Sequence, residues 1–205
     1  MKIDLYNVRC RWINLDSATK NAQFMTDQMT SLGIKNHERF SARMVPPPEG
    51  THPSIQHYRG CAQSHIDILR SESCPLLILE DDAKHVHFQG EIEVPDDTDA
   101  VYLGVSHGNR GYLALPVDED WMRISGVLAT QSILYLTDSY REAVADMAED
   151  FVYNKNTPFD VGCAALQESY KVITPTRPWF VQADESENAN KWESLTNKPL
   201  ERSVV

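Results

Sequence analysis

Three consecutive acidic residues, Glu80, Asp81 and Asp82, directly follow a run of four apolar residues at positions 76–79. An uninterrupted apolar run of this length, bounded by Pro75, is typical of a central strand that is buried on both faces of a sheet. Because carboxylates repel one another and are costly at the end of a buried strand, a compensating cation is expected beside them. The pattern predicts an α/β sheet with a ligand-binding cleft at the carboxyl end of this strand.

The chemistry of the acidic triplet, residues 80–82, favours a hard divalent cation. Mg²⁺ and Mn²⁺ take oxygen ligands, usually one or two carboxylates, and leave positions free for phosphate oxygens. His85 and His87 follow closely and could be further ligands, although loop histidines are more often exposed to solvent. The alternative is that the three acids cap a solvated loop, since one strand followed by acids is a weak motif.

Patterns of strands and helices alternate along the rest of the chain. The predicted segments are strands at 8–15, 100–104, 112–117 and 123–136, and helices at about 24–32, from Gly60, from Ser139 and at about 160–170. Asp16 and Ser17 have the composition of a helix cap, Gly33 that of a helix stop, and Ser139 that of the first residue of a capping box. This alternation predicts a three-layer α/β domain with a mainly parallel central sheet.

Length and composition fit one globular domain. The chain has 205 residues, of which 41% are hydrophobic and 24% are charged, and we expect a domain over residues 1–185 and a polar C-terminal tail over residues 186–205. The net charge of -11 argues against a surface that binds nucleic acid or anionic membranes. Four cysteines without metal-ligand spacing, no apolar leader and no membrane span together predict a cytoplasmic protein.

Three blocks of sequence occur in order along the chain: WINLD at 12–16, GCAQSH at 60–65 and LILEDDA at 77–83. Together they resemble glycosyltransferase family 25, the lipooligosaccharide-type galactosyltransferases, whose sequences contain G-C-x-x-S-H and L-x-L-E-D-D. Weaker likeness continues through 101–104 and 157–160, so that roughly residues 8–185 are covered. The second block is the most specific, because a Gly-Cys-x-x-Ser-His helix start has no generic structural need.

The resemblance implies a single Rossmann-like αβα domain of the nucleotide-sugar-binding type called GT-A, and inversion at the anomeric carbon. By position, Asp82 would bind Mn²⁺ or Mg²⁺ directly, Asp81 would assist the metal or the ribose, and Glu80 would face the donor sugar. The donor would be a nucleotide-diphosphate sugar, most simply a UDP-sugar. The acceptor would be a saccharide or another hydroxyl-bearing molecule, and a nucleic-acid acceptor is not expected because the chain is acidic.

The resemblance also implies donor contacts from five further residues, and three of them have structural alternatives. Asn14, Leu15 and Asp16 would lie beside the nucleotide, and Ser64 and His65 would contact the donor. Asp16 is equally suited to cap a helix. Ser64 could instead bond to its own backbone, and His65 could be a core histidine whose hydrogen bonds are satisfied within the protein.

An inverting transfer requires a base that takes the proton of the acceptor hydroxyl. Asp160 is the candidate, because it opens a predicted helix and would point into the cleft; the alternative is that it only caps that helix. A helix N-terminus would lower its pKa and weaken it as a base. Many metal-dependent relatives use a late histidine as a metal ligand, but the last histidine here is His107. That ligand is either replaced, with Gln182 and Asp184 as the candidates, or missing, in which case Asp82 and the diphosphate would hold the ion or metal dependence would be weaker.

Two other functions stay open at the level of sequence. The acidic triplet, residues 80–82, could hold Mg²⁺ in a phosphohydrolase or nucleotidyltransferase, although such enzymes normally need further converging carboxylates. The chain could also be a catalytically inactive module that still binds a nucleotide sugar.

Overall fold

A computed structural model describes residues 1–52, 54–106 and 112–182. The strands are β1 (Lys2–Asp4), β2 (Arg9–Asn14), β3 (His37–Ser41), β4 (Leu76–Glu80), β5 (Ala83–His85), β6 (Glu91–Glu93), β7 (Ala100–Tyr102), β8 (Leu113–Pro116), β9 (Trp121–Ser125), β10 (Ser132–Tyr135), β11 (Val172–Pro175) and β12 (Phe180–Gln182). The helices are α1 (Thr19–Leu32), α2 (Ser54–Ser71), α3 (Asp138–Ala148), which a π-helical segment (Glu149–Asn154) extends, and α4 (Phe159–Leu166). The predicted tail at 186–205 lies outside the described residues.

The largest described sheet has eight strands in the order β3-β2-β4-β10-β7-β11-β9-β8. The predicted α/β class is confirmed, but the sheet is mixed rather than mainly parallel. Its pairings are parallel for β2 with β3, β2 with β4 and β7 with β11, and antiparallel for the other four neighbouring pairs. The connection of β8 to β9 is too short for a parallel crossover. The predicted strand at 123–136 is two strands, β9 and β10, which pair with different neighbours.

Separate apolar clusters cover the two faces of this sheet, and β4 contributes to both. Leu76 and Ile78 pack into the cluster that contains the buried faces of α2, α3 and α4. Leu77 and Leu79 pack into the second cluster, with Met25 and other residues of α1 and of the small β1–β6 sheet. All four strand residues are fully buried, and burial of each such side chain stabilises the fold by about 1.5–3 kcal/mol. The prediction of a central strand buried on both faces is confirmed.

Several predicted helix ends differ from those in the structure. Helix α1 begins after Ala18, which makes no side-chain cap, so Asp16 does not cap it. Helix α2 begins at Ser54 and therefore has Gly60 in its interior. The Thr137 side chain, not that of Ser139, caps α3 by accepting from the Tyr140 backbone N–H. The predicted stop of α1 is confirmed, because Gly33 ends it with a left-handed φ of 70°.

The buried apolar residues of the helices and strands form the two clusters described above. No helix among the described residues is both long and apolar enough to cross a membrane.

Candidate functional site

One edge of the large sheet brings together the ends of β2 and β4 and the segment that precedes β10. Strands β2 and β4 run parallel and end at Asn14 and Glu80, while β10 runs in the opposite direction and begins at this edge. The Glu80 N–H donates to the Gln131 carbonyl over 2.9 Å. A cavity of about 310 Å³ opens here, between the strand ends, α2 and residues 42–44. Of the residues predicted at the site, its wall contains Asn14, Leu15, Ser64, Glu80 and Asp81.

Asp81 is held in place by Asn14, the last residue of β2. The Asn14 Nδ2 group donates to Asp81 Oδ2 over 2.6 Å, and Asn14 itself is 1% exposed. The orientation of the Asn14 amide is fixed from its other side, because Arg39 Nε donates to Asn14 Oδ1 over 2.9 Å. Asp16 is exposed and instead accepts hydrogen bonds from Arg39 and Ser41. Asn14 therefore connects the first sequence block to the acidic triplet.

Asp82 has one carboxylate oxygen paired and the other without a partner. Its Oδ2 accepts from Gln182 Nε2 over 2.8 Å, whereas Oδ1 is buried and has no hydrogen-bond partner among the described residues. Burial raises the pKa of Asp82 to about 7, and the negative charges of Glu80 and Asp81 add to the effect. A buried, unpaired carboxylate oxygen close to two other acids is a suitable ligand for a divalent cation. Gln182, one of the two candidates to replace a late histidine, therefore lies beside Asp82. The other candidate, Asp184, lies outside the described residues.

Of the three acids, Glu80 has the neighbours that best compensate its negative charge. His65 Nε2 lies 3.1 Å from Glu80 Oε1, and the Thr130 hydroxyl donates to the same oxygen over 2.9 Å. Burial alone would raise the pKa of Glu80, but the hydrogen bond and charge of His65 and the Thr130 bond hold it below its ordinary value. His65 is fully buried and its ring packs on Phe159, with 4.5 Å between centroids. His65 is therefore a core histidine that binds Glu80 through Nε2, but its hydrogen bonds are not all satisfied, because Nδ1 is buried without a partner among the described residues.

The Gly-Cys-x-x-Ser-His block has a structural basis that the sequence did not reveal. Gly60 and Ser64 face the cavity-lining segment: a Cβ on Gly60 would lie 2.5 Å from the Arg43 carbonyl oxygen, and Ser64 Oγ accepts from the Arg43 N–H over 2.9 Å. Ser64 Oγ also donates to the Gly60 carbonyl, so its proton is used within its own helix, which is the backbone alternative. On the adjacent face of the same helix, one residue further along, Cys61 and His65 face Glu80. The expectation that this block has no structural need is wrong.

Asp160 lies in the first turn of α4, close to the acidic triplet. The helix begins at Phe159 after Pro158, which makes no side-chain cap. Burial raises the pKa of Asp160 and the charge of Glu80 contributes, although hydrogen bonds from the backbone of Ala129 and Val161 oppose the shift. Backbone N–H groups at the helix N-terminus do lower the pKa, as expected, but burial outweighs them and the net shift is upward.

The backbone is strained at Ala129, in the loop that precedes β10. Ala129 has a φ of 82°, a left-handed conformation that costs a residue with a Cβ on the order of 1–3 kcal/mol and is found mainly at functional sites. Its neighbour Thr130 binds Glu80, so the strained loop aims a hydroxyl at the acidic triplet. Neither residue was singled out from the sequence, since nothing in the composition of residues 126–131 indicates this conformation.

The two histidines that follow the acidic triplet do not join it in a metal-binding group. His85 binds the Gln28 side chain through its ring and its backbone N–H, and His87 is exposed. Over the described ranges, one group of three potential metal-ligating side chains has its ligand atoms within 4.8 Å of one another: Cys61, His65 and Glu80. Within the described ranges, the carboxylates of Glu80, Asp81 and Asp82 do not form a second group of this kind.

Comparison with known proteins adds no family assignment. No protein-family model matches the chain, and no curated protein matches it.

Proposed function

We propose that this chain is an inverting glycosyltransferase that moves a sugar from a nucleotide-diphosphate sugar, most simply a UDP-sugar, to an acceptor hydroxyl. The observation that carries the proposal is the unpaired, buried Oδ1 of Asp82. Asp82 is the last of three acids that follow a central strand, and the other two, Glu80 and Asp81, line the cavity. The resemblance of three ordered sequence blocks to glycosyltransferase family 25 selects this function among those that use a metal-bound diphosphate.

The proposal includes the finer fold assignment, a Rossmann-like GT-A domain. Six of the eight strands in the large sheet run in one direction, and only β9 and β10 are reversed. Ligands of such sheets bind outside the carboxyl ends of the strands. The cavity of about 310 Å³ lies at that edge and reaches the size range of small-molecule sites, about 300–1,000 Å³.

Asp82 and Asp81, with the Gln182 amide oxygen, would hold Mn²⁺ or Mg²⁺. These oxygen donors suit a hard cation, and the raised pKa of Asp82 reflects burial among neighbouring negative charges that a cation would offset. The chemistry that such a cation supplies when bound is to stabilise the charge on the departing diphosphate. Asn14 fixes the direction of Asp81, so that the first and third sequence blocks contribute to one donor site.

The chain's own residues provide the remaining roles. Asn14 and Leu15 would border the nucleotide, since both line the cavity at the end of β2. Glu80, which is ionised and oriented by His65 and Thr130, would face the donor sugar. Asp160 would take the acceptor proton. Its raised pKa makes it a stronger base than an exposed aspartate.

Turnover of nucleotide sugars tests the proposal. With Mn²⁺ present, we expect release of the nucleoside diphosphate from one or more nucleotide sugars, stimulated by saccharide acceptors. Asp160→Asn should lower the rate by about 10²–10⁴-fold while donor affinity changes little. Asp27→Asn, which removes the same charge from an exposed position on α1, is the control and should leave the rate unchanged.

The alternative functions give different results in the same assay. Preference for nucleoside triphosphates, with no turnover that depends on a sugar, would indicate a phosphohydrolase or nucleotidyltransferase and contradict the proposal. Binding of nucleotide sugars without turnover would indicate an inactive binding module.

A further inference from the structure

A sulfur, a nitrogen and a carboxylate oxygen converge in the cavity wall. Cys61 and His65 are four residues apart on α2, so their side chains leave the same face of the helix. Both point at Glu80: Cys61 Sγ lies 3.9 Å and His65 Nε2 lies 3.1 Å from Glu80 Oε1. The three ligand atoms are within 4.8 Å of one another.

These distances are close to those of a tetrahedral zinc site. Zinc binds sulfur at about 2.3 Å and nitrogen or oxygen at about 2.0–2.2 Å, which gives ligand–ligand separations of roughly 3.3–3.6 Å. The observed separations lie on either side of that range. The third separation, between Cys61 Sγ and the His65 ring nitrogen, is within 4.8 Å, so adjustment of these side chains would close the site around one ion.

The surroundings of Cys61 favour a cation over a reactive thiolate. Burial raises the pKa of its thiol well above the ordinary value, and the negative charges of Glu80, Asp160 and Asp82 raise it further. The thiol is consequently poorly suited to act as a nucleophile. The same negative charges attract a dication, whose binding would expel the thiol proton to solvent.

We propose that Cys61, His65 and Glu80 form a binding site for a thiophilic divalent cation, of which Zn²⁺ is the expected member. Cys61 and Glu80 line the cavity while His65 is buried behind them. The fourth coordination position therefore faces the cavity, as in zinc sites that keep a position open for water or a ligand. The site differs from the oxygen ligands around Asp82 in that a sulfur and an imidazole nitrogen select softer metals.

One feature limits the affinity of this site. Zinc-binding histidines usually donate their second ring N–H to an acceptor, but His65 Nδ1 is buried without a partner among the described residues. Loss of such an outer partner costs roughly 10–100-fold in metal affinity. We expect binding weaker by about that factor than at a fully supported site.

Cobalt substitution tests the proposal directly on the full chain. Co²⁺ added to the wild-type protein should give a sulfur-to-cobalt charge-transfer band and the visible spectrum of a tetrahedral ion, at one ion per chain, and Zn²⁺ should abolish both. Cys61→Ser should remove the band and weaken Zn²⁺ binding by at least the roughly 10–100-fold that loss of an outer partner costs. Cys74→Ser is the matched control, because Cys74 precedes the opposite end of β4, and it should retain the band.

The experiment separates this site from the proposed donor site. Asp82→Asn should keep the cobalt–sulfur band while losing the Mn²⁺-dependent binding of a nucleotide sugar. Absence of the band in the wild-type protein would overturn the proposal without any variant. Loss of the band in Cys74→Ser, with its retention in Cys61→Ser, would overturn it as well.

Discussion

Asp82 has an unusual environment for a carboxylate at the end of a strand. One oxygen is bound by Gln182 and the other is buried without a partner, while two further acids precede it in the chain. Natural proteins retain such an arrangement at functional sites, where a destabilising group is kept for binding or catalysis. The cost of keeping Asp82 should therefore be measurable as a function of pH.

Asp82→Asn should stabilise the chain at neutral and alkaline pH. The pKa of Asp82 rises from 3.8 to about 7 on folding, so between these values the folded state holds a proton that the unfolded state has lost. The contribution of Asp82 to the free energy of unfolding therefore falls as the pH rises through this window. At pH 8 without divalent metal, we expect Asp82→Asn to exceed the wild type by about 1–3 kcal/mol, the range in which polar burial acts.

Urea denaturation at pH 4.5 and pH 8 measures this difference. Glu80 has a lowered pKa, so its stabilising contribution is lost only as the pH falls below its ordinary value, and it does not cancel the effect of Asp82. A difference between variant and wild type that is the same at both pH values would contradict the assigned titration.

At the scale of elements, α2 joins the cavity wall to the acidic triplet. Gly60 allows the Arg43 carbonyl to approach the helix, and Ser64 binds the backbone of the same residue. One face of the helix therefore holds residues 42–44, and the adjacent pair Cys61 and His65 holds Glu80. The motif resembles a binding signature in sequence, but two of its four defining residues act through packing and local hydrogen bonds.

Gly60→Ala should destabilise the chain, contrary to the usual effect of this change in a helix. Replacement of a helical glycine by alanine ordinarily gains up to about 1 kcal/mol. Here the new Cβ would lie 2.5 Å from a backbone oxygen, an overlap of the kind that costs about 1–3 kcal/mol. Denaturant unfolding measures the sign, and an increase in the free energy of unfolding would show that residues 42–44 do not pack against the helix as described.

The elements that could be predicted from the sequence are those whose type and ends depend on local residue patterns. The run at 76–79 identified β4 and its burial on both faces, and Gly33 identified the end of α1. The start of α2 could not be predicted, because the first turns of that helix precede the motif, and residues 123–136 contain two strands where one was predicted. Sheet order and direction depend on contacts between distant segments, which a single sequence does not contain.

The whole molecule gathers its site from segments far apart in the chain. Asn14, Glu80 and Asp81 were expected together and do line one cavity, because they end two neighbouring parallel strands. The contact of Thr130 with Glu80 was not expected, because it depends on the pairing of β10 with β4. The role of Asn14 in orienting Asp81 was not expected either, because it depends on one amide that joins the ends of two strands. Strand ends could be predicted from apolar runs; the loops that reach them could not.

The central claim is that the acidic triplet binds a divalent cation together with a nucleotide sugar, and the most direct measurement is the unfolding temperature. A ligand at 100 times its Kd stabilises the native state by about 2.7 kcal/mol, which corresponds to roughly 5–10 °C for a chain of this size. We predict such a rise for a UDP-sugar with Mn²⁺ in the wild type and in Asp27→Asn, and its loss without Mn²⁺ or in Asp82→Asn. An equal rise in the absence of Mn²⁺, an unchanged rise in Asp82→Asn, or no rise with any nucleotide sugar would contradict the claim.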